Sequence, residues 1–396
     1  MIGSRKTSPL SGKFLVRNRI LYFLLIFTNY LFKIKILKKS KQSPRLNYFN
    51  AALICNISHL GDVVIATSII PIIKKNYPNA KIGFLVGSWA KQIIEHNPQV
   101  DWIHTFDHWK LNRSSKNLFE KIKQYYFSRK KALSEIRSIH YDVAIDLYYY
   151  FPNSIPLIWK ANIPIRTGYS SGGFKNLLTH SLDWKEKNQP VAQYHIDLLE
   201  FTFSKKLDVE KLRPSLKVSY EDLNYLLKKL KVCGFEANAY IVFHIGSGAS
   251  IKEWPLTKWS QLINLFKDQK YTILFTGAGA RENINIQKAI EGFSNCLNLC
   301  NQFNWQEFVS AVYLADLVIC ADSVIAHIAS AFDKPCVIIG HGITNVFQWR
   351  PPSDKNMFIS YPTPCSPCYL SKGCLEMECV QNIDVYKVYE ASLNLL

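Results

Sequence analysis

Acidic residues are missing from the beginning of this chain of 396 residues. Residues 1–46 carry eleven Lys or Arg and no acid, and the first acidic side chain is that of Asp62. The formal net charge of +18 therefore arises largely at one end, because the remaining residues carry 30 acids against 37 Lys and Arg. We expect no nucleic-acid partner, since the charge is concentrated beside an apolar run and not along a face that reads bases.

The apolar run in this basic end is too short for an ordinary transmembrane helix, which needs about 20 residues. It extends from Ile20 to Phe32 and has basic residues on both sides. This pattern favours an anchor, within an N-terminal extension at residues 1–45, that lies on an anionic membrane surface. Two alternatives stay open: a solvated tail whose helix packs on the core, and a true span or secretory signal. The signal is disfavoured because no small-residue cleavage site follows the run.

The ten cysteines are too sparse for a disulfide scaffold in a chain of this size. Four of them cluster near the end with the spacing C-x2-C-x5-C-x4-C: Cys365, Cys368, Cys374 and Cys379. They could hold zinc if the loop folds back on itself, and the alternative is a reduced cysteine-rich loop.

Complete cofactor motifs are also absent. The Gly246-Ser247-Gly248 turn lacks the third glycine of a dinucleotide fingerprint, and the turn that begins at Gly277 continues into Ala-Arg-Glu. Nicotinamide binding is therefore not expected. The chain has no Asp-x-Asp pair to hold a divalent metal against a diphosphate. We expect neither a cofactor nor a catalytic metal.

The pattern from Ala51 onward alternates short β-branched runs with amphipathic stretches, which predicts parallel sheets with crossover helices. It restarts after a predicted helix that ends near Gly234, so the fold class is α/β with two Rossmann-like domains and a cleft between them. The predicted domains are residues 46–233 and 234–380, and a final helix at 381–396 could cross back to the first. The predicted strands are 52–57, 81–86, 102–106, 142–147, 240–244, 271–276, 317–321 and 335–339.

The segment VFHIGSGASIKEWP, residues 242–255, has the layout of a phosphate site. It passes from a strand into a glycine turn and then to Lys252 and a Trp-Pro pair that can open a helix. Backbone N–H groups at such a turn attract an anion, and the lysine adds positive charge, so a diphosphate is the expected ligand. The alternative is that Lys252 is an ordinary surface lysine.

Polar residues follow two other predicted strands. Asp322 and Ser323 end the strand at 317–321, with His327 four residues beyond Ser323, where open α/β sheets bind ligands. A core role for His327 is the alternative. Asp62 follows the first predicted strand, where it faces the predicted cleft or merely caps a helix at a gain of about 1 kcal/mol.

Five ordered segments resemble glycosyltransferase family 9, the lipopolysaccharide heptosyltransferases. They are ISHLGDVVIATSIIPIIKKNYPNAKI, HIGSGASIKEWP, TGAGARE, ADSVIAHIASAFDKPCVIIG and the tail from CSPC to EC, within residues 51 to about 390. The resemblance implies the GT-B architecture and inverting transfer without a metal. The usual reaction moves heptose from an ADP-activated donor to the inner core of lipopolysaccharide.

The resemblance also implies roles for single residues. Asp62 stands at the position of the general base, which overrides the helix-cap alternative, and Lys252 at the position that stabilises the departing diphosphate. Glu282 would hold the ribose, with a solvated first-turn glutamate as its alternative. The remaining implied donor contacts are Gly246, Ser247, Gly248, Gly277, Asp322, Ser323 and His327.

Two departures from the family pattern lie beside the donor segments. Val324 replaces a glycine after the Asp-Ser pair, and His341 lies in a Gly-His-Gly where relatives have Gly-Pro-Thr. They leave open a different nucleotide sugar. A non-catalytic member that binds sugar nucleotide or glycolipid is a separate alternative. The basic and aromatic stretch 113–137 could meet phosphorylated core sugars or anionic lipid, or be a solvated helix face. We expect a peripheral enzyme at the cytoplasmic face of the bacterial inner membrane, with a glycolipid acceptor.

Overall fold

The computed structural model describes residues 23–28, 30, 48–235, 239–370 and 372–396. Most of the predicted basic extension lies outside these residues, but residues 23–28 are helical. None of the helices in the described ranges has both the length and the hydropathy that a membrane crossing needs. The chain divides into two compact units, Met1–Ser215 and Leu216–Leu396.

The first unit contains a sheet of six parallel strands in the order β3-β2-β1-β4-β5-β6. This order reverses between β1 and β4, and ligands bind at such switch points in open α/β sheets. The strands are β1 (Ala51–Asn56), β2 (Lys81–Val86), β3 (Trp102–Thr105), β4 (Val143–Asp146), β5 (Ile165–Tyr169) and β6 (His180–Leu182). The helices are α1 (Leu60–Ala66), α2 (Ile69–Asn76), α3 (Lys91–Ile94), α4 (Leu118–Ile139), α5 (Ile155–Lys160) and α6 (Val191–Phe203).

The second unit repeats the same strand order in its own parallel sheet, β12-β11-β10-β7-β8-β9, so its switch point lies between β7 and β10. The strands are β7 (Tyr240–His244), β8 (Thr272–Phe275), β9 (Cys296–Asn298), β10 (Leu317–Ala321), β11 (Cys336–Ile339) and β12 (Asn356–Ile359). The helices are α7 (Tyr220–Val232), α8 (Leu256–Leu265), α9 (Ala280–Ala289), α10 (Trp305–Leu314), α11 (Val324–Ala331), α12 (Val346–Trp349), α13 (Glu378–Gln381) and α14 (Val385–Leu393).

Each unit has its own hydrophobic core. Leu53, Cys55 and Ile57 from β1 and its end are fully buried in the first. Phe243 and Trp259 are fully buried in the second, with ring centroids 5.5 Å apart. Strands buried on both faces read as continuous apolar runs, which is why the sequence predicted the central strands well.

The boundary between the units differs from the predicted one. The chain divides after Ser215, so α7 belongs to the second unit and not to the first. Its Lys229 ammonium lies 2.8 and 2.9 Å from the carboxylate oxygens of Glu307 on α10. Glu307 is almost fully buried, and this ion pair joins α7 to α10 within the second unit.

The sequence left open that the C-terminal helix crosses back to the first domain, and α14 lies in the second unit. Val385, Val388 and Ala391 on its buried face are part of the second core. The indole N–H of Trp254 donates to the carbonyl of Ile383, 3.2 Å away, just before this helix. Apolar burial therefore accounts for its position.

Candidate functional site

Asp62 lies in the first turn of α1, directly after β1 and beside the switch point of the first sheet. Its Oδ2 accepts hydrogen bonds from the Ser58 hydroxyl at 2.7 Å and from the His59 backbone N–H at 3.3 Å. Asp62 therefore does cap its helix, as the structural alternative predicted. Both bonds use the same oxygen, and no described residue donates a hydrogen bond to Oδ1. The helix cap thus leaves one carboxylate oxygen that can accept a proton.

The surroundings of Asp62 were missed by sequence reasoning. Burial lowers the pKa of His59, the Asp62 charge opposes this, and the charge of Arg113 lowers it further. Burial raises the pKa of Tyr148, and the Asp62 charge adds to that effect. Asp62 therefore has a histidine and a tyrosine as neighbours, and Arg113 lies close enough to act on both of them. The available signal was position, because Tyr148 follows the end of β4, which pairs with β1.

Lys252 and Asp322 come together in the second unit, where the sequence placed both at the donor. The Lys252 ammonium lies 3.4 Å from Oδ2 of Asp322. The same oxygen lies 2.9 Å from Nε2 of His341. Burial alone would raise the pKa of Asp322, but Lys252, His341 and His327 together hold it well below its usual range. This end of β10 therefore carries an ionised carboxylate next to a lysine.

Ser323 and His327 follow Asp322 on the same strand end and helix. The Ser323 hydroxyl is buried and has no hydrogen-bond partner among the described residues. A buried unpaired hydroxyl is costly, so it is a candidate for contact with a ligand. His327 is buried within α11, as the core alternative predicted, and still lies close enough to Asp322 to act on its carboxyl.

Glu282 fills the space between the two glycine turns. A side chain at Gly246 or Gly277 would overlap its carboxyl group. Oε2 of Glu282 accepts the backbone N–H of Ala278 at 3.0 Å. Its pKa is raised, first by burial and then by the charge of Glu253, while the Ala278 bond lowers it. The structure thus brings three of the predicted donor residues, Gly246, Gly277 and Glu282, into one cluster.

The sequence predicted that the Gly246-Ser247-Gly248 turn binds an anion. In the structure, a glutamate already occupies one of its backbone N–H groups. The Ser247 N–H donates to Oε1 of Glu253 at 3.1 Å, and the Ser247 hydroxyl donates to the carbonyl of Ala249 at 2.6 Å. Arg281 holds Glu253 through two contacts of 2.6 Å. A phosphate at the Ser247 amide would have to displace Glu253, whose role the sequence did not reveal.

The four clustered cysteines are free thiols. Burial raises the pKa of Cys379, and the other three thiols add to the effect, so the four lie near one another. Across the described ranges, no three His, Cys, Asp or Glu side chains converge closely enough to hold a metal ion. This arrangement lends no support to zinc at these cysteines, which stays a prediction.

The sequence profile of glycosyltransferase family 9 (heptosyltransferase) matches residues 129–379, more than half of the chain. This chain belongs to that family. It is therefore a glycosyltransferase, and its α/β fold with two Rossmann-like units is of the GT-B class, as predicted. The matched range begins after Asp62, so the match includes the predicted donor-binding residues but not the predicted base.

Individual relatives of this glycosyltransferase are distant in sequence. It is 27% identical to lipooligosaccharide heptosyltransferase 2 of Haemophilus influenzae, over 78% of this chain and 87% of that protein. The solved family 9 glycosyltransferase of Veillonella parvula superposes with a TM-score of 0.72 at 20% identity, covering 90% of this chain and 99% of the other. The Escherichia coli ADP-heptose lps heptosyltransferase II superposes with a TM-score of 0.69 at 20% identity, covering 87% and 98%.

Proposed function

We propose that this glycosyltransferase moves heptose from ADP-heptose onto the core of lipopolysaccharide or a related surface glycolipid, with inversion and without a metal. The observation that carries the proposal is the cluster of Lys252, Asp322 and the unpaired Ser323 hydroxyl at the switch point of the second sheet. Its donor is suggested by the E. coli relative that is described as an ADP-heptose enzyme.

The reaction requires a base and a site for the leaving diphosphate. Asp62 takes the proton of the acceptor hydroxyl, whose oxygen attacks the anomeric carbon of the donor from the face opposite the diphosphate. The bond between that carbon and the diphosphate oxygen breaks, and ADP leaves with the electron pair. Its charge is balanced by Lys252 and by backbone N–H groups near Gly246, Gly248 and Ser323, which is how charge stabilisation can replace a metal.

Glu282 is proposed to bind the ribose. Its carboxylate lies between Gly246 and Gly277, where it can accept hydrogen bonds from the two ribose hydroxyls. Glu253, which Arg281 already holds, must release the Ser247 N–H before a diphosphate can bind there.

The membrane-facing surface proposed for this enzyme lies on the first unit. On α4, Phe119 is 76% exposed and Phe127 is 64% exposed. Lys123, Lys130, Lys131 and Arg137 are exposed on the same helix. Exposed aromatic rings among basic side chains suit an anionic headgroup layer, so we infer a peripheral location at the cytoplasmic face of the inner membrane.

The helix at residues 23–28 supports the same location. Leu25 is buried against Gly173, whereas Phe23 and Phe27 are exposed. One residue of this helix joins the core, and the exposed rings are those that we propose to meet the membrane surface.

The donor is tested by calorimetric titration of the full-length protein with ADP, UDP, GDP and CMP, followed by ADP-heptose. Selective binding of ADP and ADP-heptose supports the proposal. Selective binding of UDP or GDP would favour a family 9 enzyme with another nucleotide sugar, an alternative motivated by Val324 and His341. If no nucleotide binds, a non-catalytic glycolipid-binding member is favoured.

A further inference from the structure

His341 is a buried histidine that contacts Asp322, the partner of the lysine proposed to bind the diphosphate. It follows β11, and its side chain is almost inaccessible to solvent. Its Nδ1 accepts the backbone N–H of Ile343 at 3.1 Å, and its Nε2 lies 2.9 Å from Oδ2 of Asp322. Because Nδ1 already accepts a hydrogen bond, a neutral ring carries its proton on Nε2 and donates it to Asp322.

The backbone around His341 is held in place by the cysteine-rich segment. A Cβ at Gly342 would overlap the Ser366 hydroxyl, so this position has no room for a side chain. The Cys368 N–H donates to the Gly342 carbonyl at 3.0 Å, and the Tyr369 N–H donates to the Ile343 carbonyl at 2.7 Å. The backbone that follows His341 is therefore held in place, which supports a fixed orientation of the imidazole, as a positioning residue requires.

Lys252 and His341 share one oxygen of Asp322. Within the described parts of the chain they are the two side chains that donate to this carboxylate. If Lys252 turns toward a phosphate, a carboxylate without His341 would lose its last side-chain donor. The Asp322 side chain is only 13% exposed, and leaving such a carboxylate unsatisfied is costly, so Lys252 would remain on Asp322 and would be less available to a ligand.

We propose that His341 is a positioning residue that keeps Asp322 satisfied and thereby releases Lys252 to the diphosphate of the donor. This inference rests on the proposed donor site. A neutral N–H is suited to the task, since it orients the carboxylate without adding a second positive charge that would compete with Lys252 for the anion. This role would explain why the chain has His341 where relatives have the proline of Gly-Pro-Thr.

The test compares two substitutions of similar size in the full-length protein. His341→Gln keeps an N–H donor within reach of Asp322, whereas His341→Met fills the space without one. We expect His341→Met to weaken ADP binding about tenfold and to raise the donor KM by a similar factor, with kcat changed less than twofold. His341→Gln should restore at least a third of the wild-type affinity. His96→Met, at an exposed histidine of the first unit, is the matched control.

Equal losses in the Met and Gln variants, or no loss in either, would overturn the positioning role. A wild-type protein that binds no nucleoside diphosphate would instead overturn the proposed function. A second readout separates the two cases without any ligand. In ¹⁵N-histidine-labelled protein we expect a neutral imidazole with its proton on Nε2 whose signal disappears in His341→Gln and shifts in Asp322→Asn. A proton on Nδ1 at neutral pH would contradict the inference.

Discussion

Glu282 occupies the space that a side chain at position 246 would need. An added Cβ at Gly246 would overlap the Glu282 carboxyl carbon and both of its oxygens. Gly246 lies two residues after the end of β7, and Glu282 lies in the first turn of α9. The contact therefore joins two segments that are distant in sequence. The glycine is therefore required for close packing against Glu282.

Gly246→Ala should lower both stability and nucleotide affinity. The methyl group must displace the Glu282 carboxylate, and overpacking of this kind costs about 1–3 kcal/mol. Combining it with Glu282→Ala should recover most of the stability but none of the ADP affinity. Thermal unfolding and calorimetric titration of the two single variants and the double variant measure this coupling. Strictly additive stability losses would contradict the contact.

Lys252→Met should remove the charge that stabilises the leaving diphosphate. By comparison with removal of a single transition-state donor, we expect kcat to fall by about 10²-fold to 10³-fold. Folding should be retained, because Asp322 keeps its hydrogen bond from His341. Lys288→Met, at an exposed lysine of α9, is the control and should leave turnover unchanged. Turnover of Lys252→Met near the wild-type rate would refute the assignment.

Most inner strands could be predicted from the sequence, but the inner strand β5 and three of the four edge strands could not. The predicted 81–86, 240–244 and 317–321 match β2, β7 and β10 to the residue. These strands are buried on both faces and carry long apolar runs. By contrast β6 and β9 are three-residue edge strands, and their residues are mostly half-buried or exposed. Such strands form because a neighbouring strand offers hydrogen bonds, which leaves little trace in the local pattern.

The site was predictable where a strand end supplied a polar residue. Asp62 and Asp322 stood out in this way, and Lys252 stood out because it follows a glycine turn, but their partners did not. Glu253 blocks the Ser247 amide, and the approach of His341 to Asp322 depends on the pairing of β10 with β11. Contacts of this type come from tertiary packing between segments, and no single segment of the sequence encodes them.

The first unit should lose stability in mild acid through a buried histidine. His195 on α6 is almost fully buried, and burial lowers its pKa from its ordinary value near 6.5 to about 3. Between these two values the unfolded chain binds the proton and the folded protein does not, so stability falls as the pH falls. Between pH 7 and pH 5 we expect a loss of about 2 kcal/mol from this residue.

His195→Leu should remove that contribution and flatten the acid side of the stability curve. Denaturant unfolding of both proteins from pH 7 to pH 5 gives the difference. The comparison also separates the effect of His195 from that of Asp146. Burial raises the pKa of Asp146 to about 6, so Asp146 stabilises the folded protein more as the pH falls. Parallel curves for the two proteins would show that His195 does not titrate as proposed.

Phe119→Ser combined with Phe127→Ser should weaken binding to vesicles of phosphatidylglycerol and phosphatidylethanolamine. Losing two exposed aromatic rings from α4 should lower the partition constant about tenfold or more. Tyr220→Ser with Tyr225→Ser is the matched control, since these rings are similarly exposed on α7. Added salt should also weaken binding if the lysines contribute. Equal vesicle binding by both double variants would exclude α4 as the contact surface.

The central claim is that Asp62 is the base that activates the acceptor. Its most direct test is single-turnover transfer from ADP-heptose to a heptose-deficient lipopolysaccharide acceptor by Asp62→Asn, with ADP affinity measured on the same sample. The amide keeps an oxygen that can accept the Ser58 and His59 hydrogen bonds but cannot take a proton. We predict ADP affinity within twofold of wild type and a transfer rate at least 10²-fold lower. A transfer rate close to that of the wild type would contradict the assignment of Asp62 as the base.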